Sequence, residues 1–205
     1  MAKTGGIMGQ HGVTSETPQN ILLGAGTIHK NLQFQVSKWE GEIIGATSGG
    51  NSLEIKGEIK DIELDGAHVK VKGLAVMQGG SAKMEVNFAE ISDEILQMSM
   101  IASKTDSKTA TGYAEFEPKS TLEEGDYIRN FGFVGKTADG KKDIIVIFEN
   151  GLCTSGLKLE GKDKENSVIK LEIEAYAENT GGLDKIPVKI YYPKSAAAAA
   201  ALKEK

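Results

Sequence analysis

The chain has 205 residues, enough for one large domain with a substantial core. Its 24 basic and 29 acidic side chains leave a net charge of −5, so there is no basic excess to grip nucleic acid through its phosphates. An aromatic content of 6% argues against a platform that stacks bases, and a lone cysteine, Cys153, excludes an intrachain disulfide framework.

Residues 1–20 are rich in Gly, Thr, Ser and Gln, carry no apolar segment of the signal-peptide kind and read as an N-terminal arm. Residues 21–192 are expected to form a single mainly-β domain. Residues 193–205, a polyalanine run ending in charges, form a C-terminal tail outside the fold argument. No run approaches the apolar length needed to span a bilayer, so no membrane insertion is expected.

Along the domain, "ILLGAGTIHKN" opens like a dinucleotide fingerprint, with Gly24 and Gly26 after a strand-like run. His29 stands where the third glycine belongs, and no helical stripe follows. "ATSGGNS" resembles a phosphate loop only in composition. Gly49 and Gly50 are adjacent, no Lys follows, and a strand comes next, so it reads as a loop into a strand.

The stretch from Glu42 to Val76 reads as a long β-ribbon turning at Asp65-Gly66. That turn pairs Ile62 with Val69, Ile59 with Lys72 and Ile55 with Val76. The apolar residues near the tip then face opposite to those near the base, and both strands switch face near Lys60 and Lys72. A single bulge shifts only one strand. Such a paired switch fits a hairpin whose base serves its own domain and whose tip, Ile62, Leu64, Asp65, Gly66, Ala67, Val69 and Val71, meets another subunit. A strongly twisted ribbon wrapping its own core, or a turn placed elsewhere, gives the same pattern.

Ala82, Met84, Val86 and Phe88 share one strand face. Ser92 caps a short helix whose first turn holds Asp93 and Glu94, and the apolar residues that follow go most of the way round. Asp139-Gly140 marks a second hairpin. Ile144 to Phe148 is continuously apolar, as in a central strand covered on both faces. In "SVIKLEIEAYAE" Ile169, Leu171 and Ile173 alternate with Lys170, Glu172 and Glu174. In "KIPVKIYY" Pro187 marks an edge strand. About ten strands and one helix result, in a β-sandwich or barrel.

No chemistry is concentrated anywhere. His11, His29 and His68 are isolated, and none has a His or Cys partner at metal-ligand spacing. The carboxylates alternate along strands as exposed faces do, with no pair singled out for glycosidic chemistry. No cofactor and no metal are expected, and an enzyme is disfavoured.

The order of three motifs, "ILLGAGTIHKNL", "IGATSGGNSLEI" and "EIKDIELDGAHVKVKGLAV", followed by the "SDEILQMSM" helix and further hairpins, resembles the major tail proteins, or tail tube proteins, of long-tailed bacteriophages and prophages. The resemblance covers roughly residues 20 to 192. It implies a β-sandwich with a flanking helix, similar to the type VI secretion tube protein, assembling into stacked hexameric rings. The tube would be a virion structure made in the host bacterial cytoplasm. Double-stranded DNA would pass through it without specific binding, and tape-measure, tail terminator and distal tail proteins would be its partners. Lys170, Glu172 and Glu174 are candidates for the lumen wall, with mixed sign. The rival reading is a β-sandwich binding module for a carbohydrate or other cell-surface ligand. It wants exposed aromatics on one face, and one Trp and five Tyr give it little support.

Overall fold

The computed structural model of the chain describes residues 12–14, 17–66, 68–161, 163, 166–180 and 183–193. Most of the expected arm, Ala67 and all of the tail beyond Pro193 lie outside the described residues. Thr17–Gln19 form a 3-10 turn braced by the Thr14 amide, which donates to Thr17 Oγ1 at 2.7 Å.

Ten strands and one α-helix are present among the described residues: β1 Leu22–Gln35, β2 Lys38–Gly45, β3 Ser52–Asp61, β4 Ala75–Phe88, α1 Asp93–Met100, β5 Ala102–Asp106, β6 Ala114–Pro118, β7 Ile128–Thr137, β8 Asp143–Cys153, β9 Ile169–Tyr176 and β10 Val188–Tyr191. The protein is mainly β, as its alternation demands. β5 and β6 form a separate two-stranded sheet. The others make one antiparallel sheet in the order β2-β1-β7-β8-β9-β4-β3, with β10 also on β8. A bridge between Thr47 and Phe88 joins the segment after β2 to β4, so the sheet curls back on itself in a barrel-like way.

That curl encloses the core. Ile28, Ile44, Met84, Val86, Phe88, Phe131, Val146, Phe148, Leu171 and Ile173 point inward, and Ile95 of α1 packs against them. The expected faces of β4 and β9 are the buried ones. β8 is covered on both faces: Val146 and Phe148 join this core, while Ile145 and Ile147 pack with Leu32, Trp39 and Val134 on the other side. Leu32 reaches that second face because β1 is irregular around Asn31, whose φ is 54°.

Local chemistry sets the elements. The Ser92 Oγ accepts from the Ile95 amide at 3.2 Å, and Asp93 and Glu94 occupy the first turn of α1. The helix buries less than its composition promises. Ile95 and Ser99 are buried, Leu96, Met98 and Met100 are half-buried, and Gln97 is exposed. Gly24 and Gly26 take φ of 86° and 70° at a register shift within β1, so the dinucleotide-like motif is a strand irregularity. Gly49 and Gly50, both at φ 86°, lead into β3, and Asn87 Nδ2 donates to the Gly50 carbonyl at 2.7 Å. Asp139-Gly140 does close the β7–β8 hairpin, but inside a wider loop held by the Thr137 amide donating to the Lys142 carbonyl at 3.0 Å. β10 is a short strand on β8 and begins just after Pro187, whose carbonyl accepts from the Glu149 amide at 3.1 Å.

Candidate assembly interface

β3 and β4 form the expected hairpin, with a different register. Leu53 pairs with Met84, Ile55 with Ala82, Gly57 with Gly80, Ile59 with Met77 and Asp61 with Ala75. The two-residue turn at Asp65-Gly66 is therefore a correction: those residues turn within a loop spanning 62–74. Pairing across Asp65-Gly66 would leave the buried half of β4 without a β3 partner. The observed register instead sets Leu53 and Ile55 on the core face beside Met84 and Ala82. The paired face switch disappears with it. By alternation Leu53, Ile55, Gly57 and Ile59 all lie on one face of β3, and only β4 is bulged, between the Gly79 and Met77 pairings.

What remains is an arm that leaves the core. β4 is exposed from Ala75 to Ser81 and buries every second residue only from Ala82 onward. On the apolar face, Ile186 packs over Gly80, where any side chain would collide with its Cδ1. Beyond it, Ile59 and Met77 stand 69% and 68% exposed. The loop continues the patch. Ile62, Leu64, Val69 and Val71 are all exposed, Val69 at 77%. With Leu74 these residues line a concavity of about 580 Å³. The Ile62 amide donates to the Leu74 carbonyl at 2.6 Å, and Lys70 pairs with Asp61 at 2.6 Å across the loop base, which raises the Lys70 pKa. Gly66 and Gly73, at φ 86° and 94°, allow the two bends.

The structure brings Ile62, Leu64, Asp65, Val69 and Val71 to one loop, with Gly66 at its bend; Ala67 lies outside the described residues. Ile59 and Met77, equally exposed, were hidden in the sequence by the misplaced register.

Lys170, Glu172 and Glu174 lie on the outward face of β9. They sit beside outward residues of β4, in the pairs Asn87–Lys170, Glu85–Glu172 and Lys83–Glu174, and Glu54 of β3 adjoins Lys83. Lys83 reaches Glu172 at 3.2 Å and Lys170 reaches Glu85 at 2.9 Å. The Lys170 hydrogen bond lowers the Glu85 pKa, and the Glu172 hydrogen bond raises that of Lys83. The result is a ladder of paired opposite charges, not a wall of one sign.

Two further features bear on chemistry. Cys153 is buried and free. His68 is exposed; His29 is half-buried, with Nε2 2.8 Å from Thr27 Oγ1. Among the described residues no group of three or more His, Cys, Asp or Glu side chains is placed to hold a metal ion, and no helix is long and apolar enough to cross a membrane. The sequence missed one cluster: Phe34, Trp39, Tyr191 and Tyr192 converge on a single cleft. Phe34 and Trp39 come from one hairpin and the tyrosines from the far end of the domain, so no local pattern announces it. In comparisons with known proteins, neither a family model nor a curated protein matches the chain.

Proposed function

We propose that the chain is a self-assembling structural subunit of the tail tube kind, stacking as hexameric rings into a conduit for double-stranded DNA. One observation carries the reading: the β3–β4 arm takes six apolar side chains, Ile59, Ile62, Leu64, Val69, Val71 and Met77, out of the fold and into water. Moving such a side chain from full exposure to full burial contributes roughly 1.5–3 kcal/mol, so an arm left bare in the monomer favours association. An arm that docks on a different surface of the next copy gives a head-to-tail contact, which propagates as rings or filaments. The paired charges around Lys170, Glu172 and Glu174 suit a wall that a polyanion passes without sticking. In this reading the partners are other copies, tape-measure, terminator and distal tail proteins, the place of action is the virion, and no catalytic site is needed.

Electron microscopy of the concentrated protein, alone and with a tape-measure or initiator partner, tests this. Rings or filaments are expected, and monomers under every condition would overturn the reading. Val69→Asp should abolish the particles while changing monomer stability by no more than about 0.5 kcal/mol. If the variant unfolds instead, the loop belongs to the core.

A further inference from the structure

The aromatic cleft is separate from the arm. Phe34 at the end of β1, Trp39 at the start of β2, and Tyr191, Tyr192 and Pro193 at the end of the domain line a space of about 350 Å³. Buried Ile145 forms its floor, and the half-exposed Asp143 carboxylate also lines it. The ring centroids of Phe34 and Trp39 are 5.2 Å apart at 63°, and those of Trp39 and Tyr191 are 4.7 Å apart at 64°. The rings therefore stand as angled walls around a corner, not as a flat plate.

Three ligand classes compete. A sugar needs a flat ring face and several hydrogen-bonding groups. Here the walls are angled, Asp143 is the one charged side chain lining the cleft, and the Tyr192 hydroxyl already donates to Asn20 Oδ1 at 2.7 Å. A purely apolar segment makes no use of Asp143. A compact cation with apolar substituents uses everything present, because aromatic faces attract positive charge and the carboxylate balances it. The cleft already shows this preference at its edge, where the Lys142 ammonium lies 5.6 Å from the Tyr192 ring centroid. Asp143 is only loosely held, 3.8 Å from the exposed Lys136, and an exposed pair of that length contributes little that a ligand must displace.

We infer that this cleft binds a small quaternary ammonium group, its methyl groups against Trp39, Phe34 and Tyr191 and its charge facing Asp143. The group could be carried by a free solute or by a lipid headgroup. The cleft contains no residue of loop 62–74, so its occupancy stands or falls independently of the assembly reading.

Trp39 is the chain's single Trp, so its indole N–H gives one resonance that reports on this cleft alone. Choline chloride, titrated at constant ionic strength, should shift that resonance saturably. Its neutral carbon isostere, 3,3-dimethylbutan-1-ol, should bind about tenfold more weakly. Asp143→Asn should weaken choline several-fold and leave the isostere unchanged, and Tyr191→Leu should weaken choline while keeping the apolar bulk. Co-sedimentation with phosphatidylcholine vesicles, added to the choline shift, would assign the source as a lipid; the shift without co-sedimentation would assign a free cation. Equal binding of choline and the isostere, or no saturable shift with choline, would overturn the inference.

Discussion

Val36 occupies an unfavourable backbone position for its residue type. It is β-branched, 93% exposed, and held at φ 44°, with Ser37 following at φ 71°. The two form the turn of the β1–β2 hairpin, between the paired Gln35 and Lys38. Two positive φ values in a two-residue loop are the geometry that Asn-Gly satisfies without a Cβ clash. Replacing Val36 by Asn and Ser37 by Gly should therefore stabilise the fold by about 1–2 kcal/mol, read as a higher urea midpoint at unchanged slope. No gain would mean that the turn adopts another geometry in solution. His29 offers a second reading at one side chain. Burial lowers its pKa from the ordinary 6.5, partly offset by the nearby Gly41 backbone, yet Nδ1 is buried without a hydrogen bond of good geometry. The fold thus prefers the neutral ring. As pH falls below 6.5 the unfolded chain takes up the proton first, so the His29 contribution is complete above that pH and is lost as pH drops through the lowered folded value. Urea midpoints measured from about pH 7.5 down to pH 5 should fall more steeply for the wild type than for His29→Gln. Equal slopes would show that the ring titrates normally.

The β3–β4 arm can be shortened without touching the core, because Asp61 and Ala75 are the last pair of its ladder. Replacing residues 62–74 with Asn-Gly closes that pair by a tight turn. The shortened chain should keep the wild-type thermal midpoint and form no particles in the microscope. Particles from the shortened chain would place the contact elsewhere, and a large loss of stability would show that the loop supports the fold. The same arm explains what could be read in advance. β8 was legible because five successive apolar residues from Ile144 leave no solvent face, and α1 because Ser92 and its acidic first turn are short-range signals. The β3–β4 register was not. The Asp65-Gly66 turn preference is local, whereas the observed pairing sets Leu53 and Ile55 beside Met84 and Ala82, which belong to a core assembled from distant strands. The β1–β2 hairpin was hidden for the opposite reason, since Val36 at φ 44° gives none of the Asn or Gly signal such a turn usually carries. The interface candidates from Ile62 to Val71 were found through a wrong pairing and still fall on an exposed apolar loop, because an apolar run that fits no strand face has few places to go.

Charge is distributed so that the protein should ignore DNA despite its many lysines. On the outward sheet face Lys83 and Lys170 are each engaged by a glutamate, Glu172 and Glu85, and Glu174 flanks Lys83 from β9. An ammonium group already paired releases few counterions on meeting a phosphate, and the net charge of −5 adds a repulsive background. The wild-type chain should therefore show no retention of double-stranded DNA in a mobility-shift assay even at low salt. Replacing Glu85, Glu172 and Glu174 by Gln removes three negative charges, taking the net charge from −5 to −2, and leaves Lys83 and Lys170 without those partners. Each of these glutamates is at the surface, so the triple variant should fold as the wild type does. It should retain DNA at about 20 mM salt and release it by about 150 mM, with a log–log salt slope near −0.9 for each phosphate neutralised, so roughly −2 for the two freed lysines. Retention by the wild type would mean that other lysines form a basic track and that the conduit reading misjudges the surface. Failure of the variant to bind would mean that the ladder does not screen Lys83 and Lys170. On the proposed conduit reading, a variant that still assembles should slow DNA passing through it, since the same two ammonium groups would then repeat around every ring.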